Sequence, residues 1–92
     1  MRGVVGRVDS VEWAGWQCWF WSQDHREPHF HAKSPGEWEV RIFFGEDPPY
    51  YDVLWQVSRI PKRKLKDFLA LVAENRQALY KEWEVKVEVV DP

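Results

Sequence analysis

The sequence predicts an α+β fold: an antiparallel sheet of about four to five strands with one long helix packed on one face of the sheet. Two observations predict it: strand-like segments fill most of residues 1–60, and one amphipathic helical block follows them. The 92 residues make a single domain, 1–92. So short a chain needs a core dense in large apolar side chains, and 16% of its residues, including seven Trp, are aromatic. Since a small core cannot enclose seven Trp, we expect some at a surface.

The first half of the chain contains three predicted strands. Val4–Val11 predicts a first strand that a glycine interrupts, and the aromatic segment Gln17–Ser22 predicts a second. The polar segment Gln23–Pro28 ends in a proline and reads as a loop. His29–Lys33 predicts the third strand, which the turn signal Ser34-Pro35-Gly36 ends.

Two further strands follow the turn. Glu37–Phe44 alternates polar and apolar residues with period two, as a half-buried antiparallel strand does. Gly45–Pro49 then forms a loop with two prolines, and Asp52–Val57 predicts another strand. One face of that strand is predicted to carry Val53, Trp55 and Val57.

The helical block is predicted to run from Pro61 to about Trp83, with a bend near Asn75. Its apolar stripe consists of Leu65, Phe68, Leu69, Val72, Leu79 and Trp83. After it, alternation with charged residues predicts an edge strand that contains Val85, Val87 and Val89.

Strand alternation places His29 and His31 on one face, because they are two residues apart. Phe30 and Ala32 lie on the opposite face, which is the predicted core. We therefore expect both histidines to project from an open face of the sheet, away from the helix.

The turn predicts which residues lie opposite these histidines. If Lys33 pairs with Glu37, the register places His31 opposite Glu39 and His29 opposite Arg41. A slip by one residue would set histidines against core residues and is disfavoured.

This predicted group has the chemistry of a site. A histidine beside a carboxylate acts as a general acid or base near neutral pH, and an arginine fork binds phosphate or carboxylate. The candidate catalytic residues are His29, His31, His25, Asp24, Glu39 and Arg41. A divalent transition metal on His25, His29 and His31 is the less favoured alternative, because His-X-His alone is weakly specific. Solvated cross-strand His–Glu pairs explain the same pattern without any activity.

Basic residues crowd the predicted start of the helix, where the helix dipole already favours an anion. These candidate anion- or partner-binding residues are Arg59, Lys62, Arg63, Lys64 and Lys66. An ordinary solvated helix surface is the favoured explanation of this charge run.

Composition excludes several classes of protein. The formal net charge of −2 argues against a protein that coats nucleic acid, and the single Cys18 forms no internal disulfide. No apolar run approaches the roughly 18 residues of a membrane span, and Met1–Gly6 has no apolar stretch like that of a signal peptide. We expect a cytoplasmic protein that does not bind membranes.

Four segments carry a resemblance to a known family: DHREPHFHA, VRIFF, IPKRKLKDFLALV and LYKEWE. Together, over about residues 17–84, they resemble a small bacterial domain of unknown function, the DUF4160 family. By this resemblance the motif positions are Asp24, His25, Pro28, His29, Phe30 and His31, and more loosely Pro61, Arg63, Trp83 and Glu84. Family members often have a second proline where this chain has Glu27.

Three functional hypotheses follow. Members of the family resemble halves of two-gene modules of the toxin–antitoxin type, which implies a small protein partner. The alternatives are a His-dependent phosphodiesterase or nuclease, with or without a metal, and a nucleic-acid-binding module that stacks bases on its aromatic residues. A second copy of the chain is an alternative partner. The substrate and any cofactor stay open.

Overall fold

A computed structural model describes residues 4–21 and 27–88 of the chain. These residues form a five-stranded antiparallel sheet and two helices, so the predicted α+β class is confirmed. The strands are β1 (Val4–Arg7), β2 (Gln17–Trp21), β3 (His29–Ser34), β4 (Trp38–Phe43) and β5 (Tyr50–Gln56). The helices are α1 (Lys62–Glu74) and α2 (Arg76–Trp83), and a π-helical turn, Glu84–Glu88, follows them. The strands lie in the sheet in chain order.

The core lies between the helices and one face of the sheet. Alternation along the strands directs apolar side chains to this face, and the helices meet it with residues at three- and four-residue spacing. Phe68 of α1 packs edge-on against Phe30 of β3, with ring centroids 6.1 Å apart. Fully buried members of this core are Phe20, Phe30, Ala32, Val40, Ile42, Phe44, Leu65, Phe68, Val72 and Leu79.

The predicted long helix is divided at Asn75, near the predicted bend. The Asn75 side chain donates through Nδ2 to the carbonyl of Leu71 at 2.8 Å, a local bond that competes with helix continuation. Arg76 then donates to the carbonyls of Phe44 and Glu46 at 3.1 and 3.0 Å. The break therefore directs α2 toward the loop between β4 and β5.

The predicted register of the β3–β4 hairpin is wrong by two residues. Ser34 pairs with Trp38, and the loop is centred on Gly36, whose φ of 77° suits a residue without a Cβ. Moving the centre of the loop by one residue shifts the register by two, which keeps every side chain on its predicted face. His31 consequently lies opposite Arg41, and His29 opposite Phe43.

Strand β5 contains an irregularity that alternation does not predict. Trp55 pairs with Glu39 but Val53 pairs with Val40, which leaves Leu54 as an extra residue. Trp55 and Val53 therefore lie on opposite faces, and the prediction that they share one is wrong.

The predicted last edge strand is also wrong, because Val85 and Val87 lie in the π-helical turn. Trp83 and Val87 are both buried, which is helical spacing rather than strand alternation. Val89 lies outside the described residues.

Strand β1 ends at Arg7, short of the predicted Val11. Val8 and Val11 nevertheless belong to the core, and the Val8 amide donates to the Cys18 carbonyl at 3.0 Å. Within the described ranges, no helix combines the length and the apolar character that a bilayer crossing demands.

Candidate functional site

We call the side of the sheet away from the helices the histidine face. Alternation and the observed pairing direct to it the side chains of Trp19, Trp21, His29, His31, Lys33, Glu39, Arg41, Phe43, Tyr50, Asp52 and Trp55. The expectation that this face leaves the histidines open to solvent is wrong. His29 is only 4% exposed and His31 only 9%, because large aromatic side chains pack around them.

A main-chain carbonyl group orients the His29 ring. Its Nδ1 lies 2.8 Å from the carbonyl oxygen of Glu27. A carbonyl only accepts, so Nδ1 must carry the hydrogen, and the neutral ring has its lone pair on Nε2. The ring packs against Phe43, with centroids 5.2 Å apart, and its centroid lies 5.6 Å from that of His31.

His31 is oriented by a carboxylate. Its Nδ1 lies 3.0 Å from Oε2 of Glu39, and the other Glu39 oxygen accepts a hydrogen bond from Nε1 of Trp55 at 2.9 Å. Trp19 stacks on the imidazole at 5.6 Å between centroids, and Trp21 meets it edge-on at 5.5 Å. As in His29, an ordered Nδ1–H places the neutral lone pair on Nε2. The two imidazoles thus share one tautomer and lie side by side.

Arg41 lies on the same face, but its guanidinium group forms hydrogen bonds with a residue of β5. Its Nε and Nη2 donate to the two carboxylate oxygens of Asp52 at 3.1 and 2.7 Å, a bidentate pair. Its guanidinium also lies 5.7 Å from the centre of the Phe43 ring. The structure brings Arg41 beside the histidines, but a phosphate would have to compete with Asp52 for its fork.

The other predicted site residues fall into two groups. Asp24 and His25 lie outside the described residues. Among the residues that are described, no three His, Cys, Asp or Glu side chains are grouped as metal ligands. His29 and His31 supply two imidazoles, whereas catalytic zinc sites use three protein ligands.

The basic residues Arg59, Lys62, Arg63, Lys64 and Lys66 are all exposed, at or just before the start of α1. Because α1 covers the core face, the structure does not bring them to the histidine face. The first turn of α1 has no acidic residue.

Sequence reasoning missed two features of this face. The first is the pair Trp19 and Trp21, which encloses His31; their alternation with Cys18 and Phe20 was the available signal, once β2 is paired with β3. The second is the outer strand β5, whose large apolar side chains are exposed. Nothing in an isolated strand pattern tells an edge strand from a central one.

Comparisons with known proteins give one match. The model of the family described as "Domain of unknown function (DUF4160)" matches residues 15–84. Neither the curated proteins nor the solved structures contain a significant match.

Proposed function

This chain belongs to the DUF4160 family of unknown function, and we propose that it is one half of a two-gene module of the toxin–antitoxin type. In this proposal it acts in the cytoplasm by binding a small protein partner through strand β5. The observation that carries the proposal is an apolar edge of the sheet that no other part of the described ranges, 4–21 and 27–88, covers.

Strand β5 is an outer strand, since the sheet order ends with it. Its sequence, YYDVLWQ, contains no Lys, Arg or Pro. Val53 is 44% exposed, and Tyr50, Leu54 and Trp55 are exposed to a similar degree. The next residue, Val57, is 80% exposed. An edge of this kind is a template for pairing with another chain, and monomeric proteins usually block it.

The opposite edge of the sheet is blocked. The π-helical turn lies beside β1, and Nζ of Lys86 donates to the carbonyl of Arg7 at 2.7 Å. The methylene stem of Lys86 also lies over Gly6, within 3.1 Å of where a Cβ would stand. The protein therefore covers one edge with a lysine and leaves the other apolar. This asymmetry supports a dedicated partner surface on β5, which a partner strand would extend.

Co-expression with the product of the neighbouring gene tests the proposal. We expect the two proteins to purify together, and Val53→Lys to abolish the complex, because a charge would be buried in the apolar interface. Val85→Lys is the matched control: Val85 is 64% exposed but lies in the π-helical turn. A complex that survives Val53→Lys as well as Val85→Lys would contradict the proposal.

A growth assay addresses the module itself. Expression of one gene alone should slow growth, and expression of both should restore it. Restoration that Val53→Lys prevents and Val85→Lys permits would tie the effect to β5. Growth that is the same with either gene alone and with both contradicts the toxin–antitoxin part of the proposal.

A second candidate function is phosphodiester hydrolysis by His29 and His31. The observation that favours it is that the two imidazoles lie 5.6 Å apart and that the Nδ1 atom of each is oriented by an oxygen acceptor. One neutral imidazole would take a proton from the attacking hydroxyl, and the other, protonated, would give one to the leaving oxygen.

RNA degradation by the variants His29→Asn and His31→Asn tests this second function. Asparagine retains a donor near the position of Nδ1 but lacks the proton-exchanging Nε2. Loss of one acid–base group should lower the rate by about 100-fold or more. Equal degradation by the wild type and both variants would exclude the two histidines from the reaction.

A further inference from the structure

We infer that an open cavity beside the β1–β2 hairpin is a binding site for a flat aromatic molecule that carries a phosphate or carboxylate group. The cavity has a volume of about 690 Å³. Small-molecule sites are commonly about 300–1,000 Å³, so a nucleotide-sized ligand fits. This inference does not depend on a partner at β5, which lies at the other edge of the sheet.

One wall of the cavity is a rigid pair of indoles in the loop after β1. Trp13 and Trp16 stack with ring centroids 5.5 Å apart, and the Trp16 amide donates to the Trp13 carbonyl at 3.1 Å. Both rings pack edge-on against Phe68 of α1, at 5.8 and 5.4 Å. Trp16 also meets Trp38 at 4.9 Å. The helical layer therefore holds this wall in place before any ligand arrives, which lowers the entropic cost of binding.

Trp19 and Trp21 of β2 also line the cavity, and both rings pack against the imidazole of His31. Their Nε1–H groups are buried and have no acceptor among the residues that the structure describes. A buried donor without an acceptor destabilises the folded protein. Because both residues line the cavity, a ligand that carries hydrogen-bond acceptors is the class that suits them.

The charged side chains that line the cavity favour an anionic ligand. Lys33 and Arg7 both line the cavity, and Glu12 is the one carboxylate that lines it among the residues for which the structure gives a position. Nζ of Lys33 lies 5.1 Å from the centre of the Trp19 ring, so it places a positive charge beside an aromatic wall. Arg7 and Glu12 approach only to 3.8 Å and are both exposed, so solvent screens their pairing strongly. The cavity is therefore positive although the chain has a net charge of −2.

Cys18 lines the same cavity but supplies no nucleophile. Burial raises the pKa of its thiol to about 12, and the nearby charge of Arg7 offsets this only in part. The thiol is neutral at physiological pH, and only the thiolate reacts. The aromatic side chains of this cavity thus offer stacking surfaces and its cationic side chains attract an anion. Both properties suit ligand binding rather than nucleophilic catalysis.

Nuclear magnetic resonance offers a direct test, because each of the seven Trp gives one indole N–H signal. We expect adenosine monophosphate to shift a subset of these signals saturably, including those that replacement of Trp19 or Trp21 by Phe removes. Adenosine should bind at least about tenfold more weakly, because it lacks the anion. Indole-3-acetate, titrated in parallel, reports whether a carboxylate serves as well as a phosphate.

Lys33→Gln should weaken binding of the anion at least about fivefold, and Lys81→Gln, a matched change on the exposed surface of α2, should have no effect. The dispersion of the amide signals shows whether each variant is folded. The inference is overturned if neither anionic probe shifts the indole signals at millimolar concentration. It is equally overturned if adenosine binds as tightly as its monophosphate and folded Lys33→Gln binds as the wild type does. Val53→Lys, which tests the partner surface, should bind the probes normally.

Discussion

Glu82 joins the helical layer to the segment after β1 through a single carboxylate. Its oxygens accept from the amides of Asp9 and Ser10 at 2.6 and 3.0 Å, from the Ser10 hydroxyl at 2.7 Å, and from Nζ of Lys86 at 2.7 Å. Burial alone would raise its pKa, but these hydrogen bonds stabilise the charged form and lower the pKa below the ordinary 4.5.

Glu82→Gln should lower the free energy of unfolding at pH 7 by about 1–3 kcal/mol, because several donors lose a charged acceptor. The lowered pKa means that this contribution is fully present above pH 4.5 and is lost as the pH falls through the folded value. Urea unfolding between pH 3 and 7 should therefore show a weaker acid dependence in the variant. The control is Glu74→Gln, an exposed glutamate of α1, and an equal effect of both substitutions would refute the role of Glu82.

Cys18 should be protected from alkylation while the protein is folded. Burial raises its pKa from the ordinary 9.0 to about 12, so far less of the thiol is ionised at pH 8 in the folded protein than in the unfolded chain. Mass spectrometry after iodoacetamide treatment, with and without urea, measures this because the chain has one cysteine. Similar rates in both conditions would show that the thiol is not buried.

The sequence predicts on which face of the sheet the candidate site residues lie. It does not predict which side chains pack around them. The period of a strand placed His29 and His31 on one side of the sheet, and no error of two residues in register could alter that. Their burial was not predictable, because it depends on Trp19 and Trp21 from β2 and Phe43 from β4. Contacts between strands are set by the three-dimensional pairing, which a single-strand pattern does not contain.

At the scale of elements, Arg76 ties α2 to the loop between β4 and β5. Its guanidinium donates to two carbonyls and lies 3.3 Å from a carboxylate oxygen of Asp47. These three acceptors contact one planar guanidinium group, and a lysine ammonium group does not reproduce its arrangement of donors.

Arg76→Lys should therefore destabilise the fold by about 1–2 kcal/mol although the charge is retained. Chemical unfolding measures the change, with Arg63→Lys on the exposed start of α1 as the matched substitution. If Arg76→Lys unfolds at the wild-type urea concentration, the two carbonyl bonds contribute nothing to stability.

The helices and strands were predicted correctly where the hydrophobic periodicity agreed with a turn signal or a helix-start signal. Pro61 and the apolar stripe gave the helical block, and Ser34-Pro35-Gly36 gave the hairpin. The prediction of an edge strand after the helix failed because strand periodicity and helix periodicity both fit the same residues. Val85 and Val87 alternate as in a strand, but Trp83 and Val87 repeat as in a helix, and contact of Val87 with the core favours the helical turn.

At the scale of the whole molecule, the sheet has one blocked edge and one open edge. When no other chain occupies it, the exposed edge of β5 should pair with other copies of this chain. We expect light scattering to rise with protein concentration on mild heating, and Val53→Lys to suppress the rise more than Val85→Lys. Identical scattering by both variants would show that β5 does not drive association.

The order of the strands in the sheet has a consequence for how the protein is made. Every strand pairs with the one synthesised just before it, so each hairpin closes a short loop at small entropic cost. The sheet can thus assemble strand by strand as the chain leaves the ribosome. Its core face stays bare until α1 and α2 emerge, on the order of seconds later at about 5–20 residues per second. During that interval the nascent sheet is the species that a chaperone would recognise.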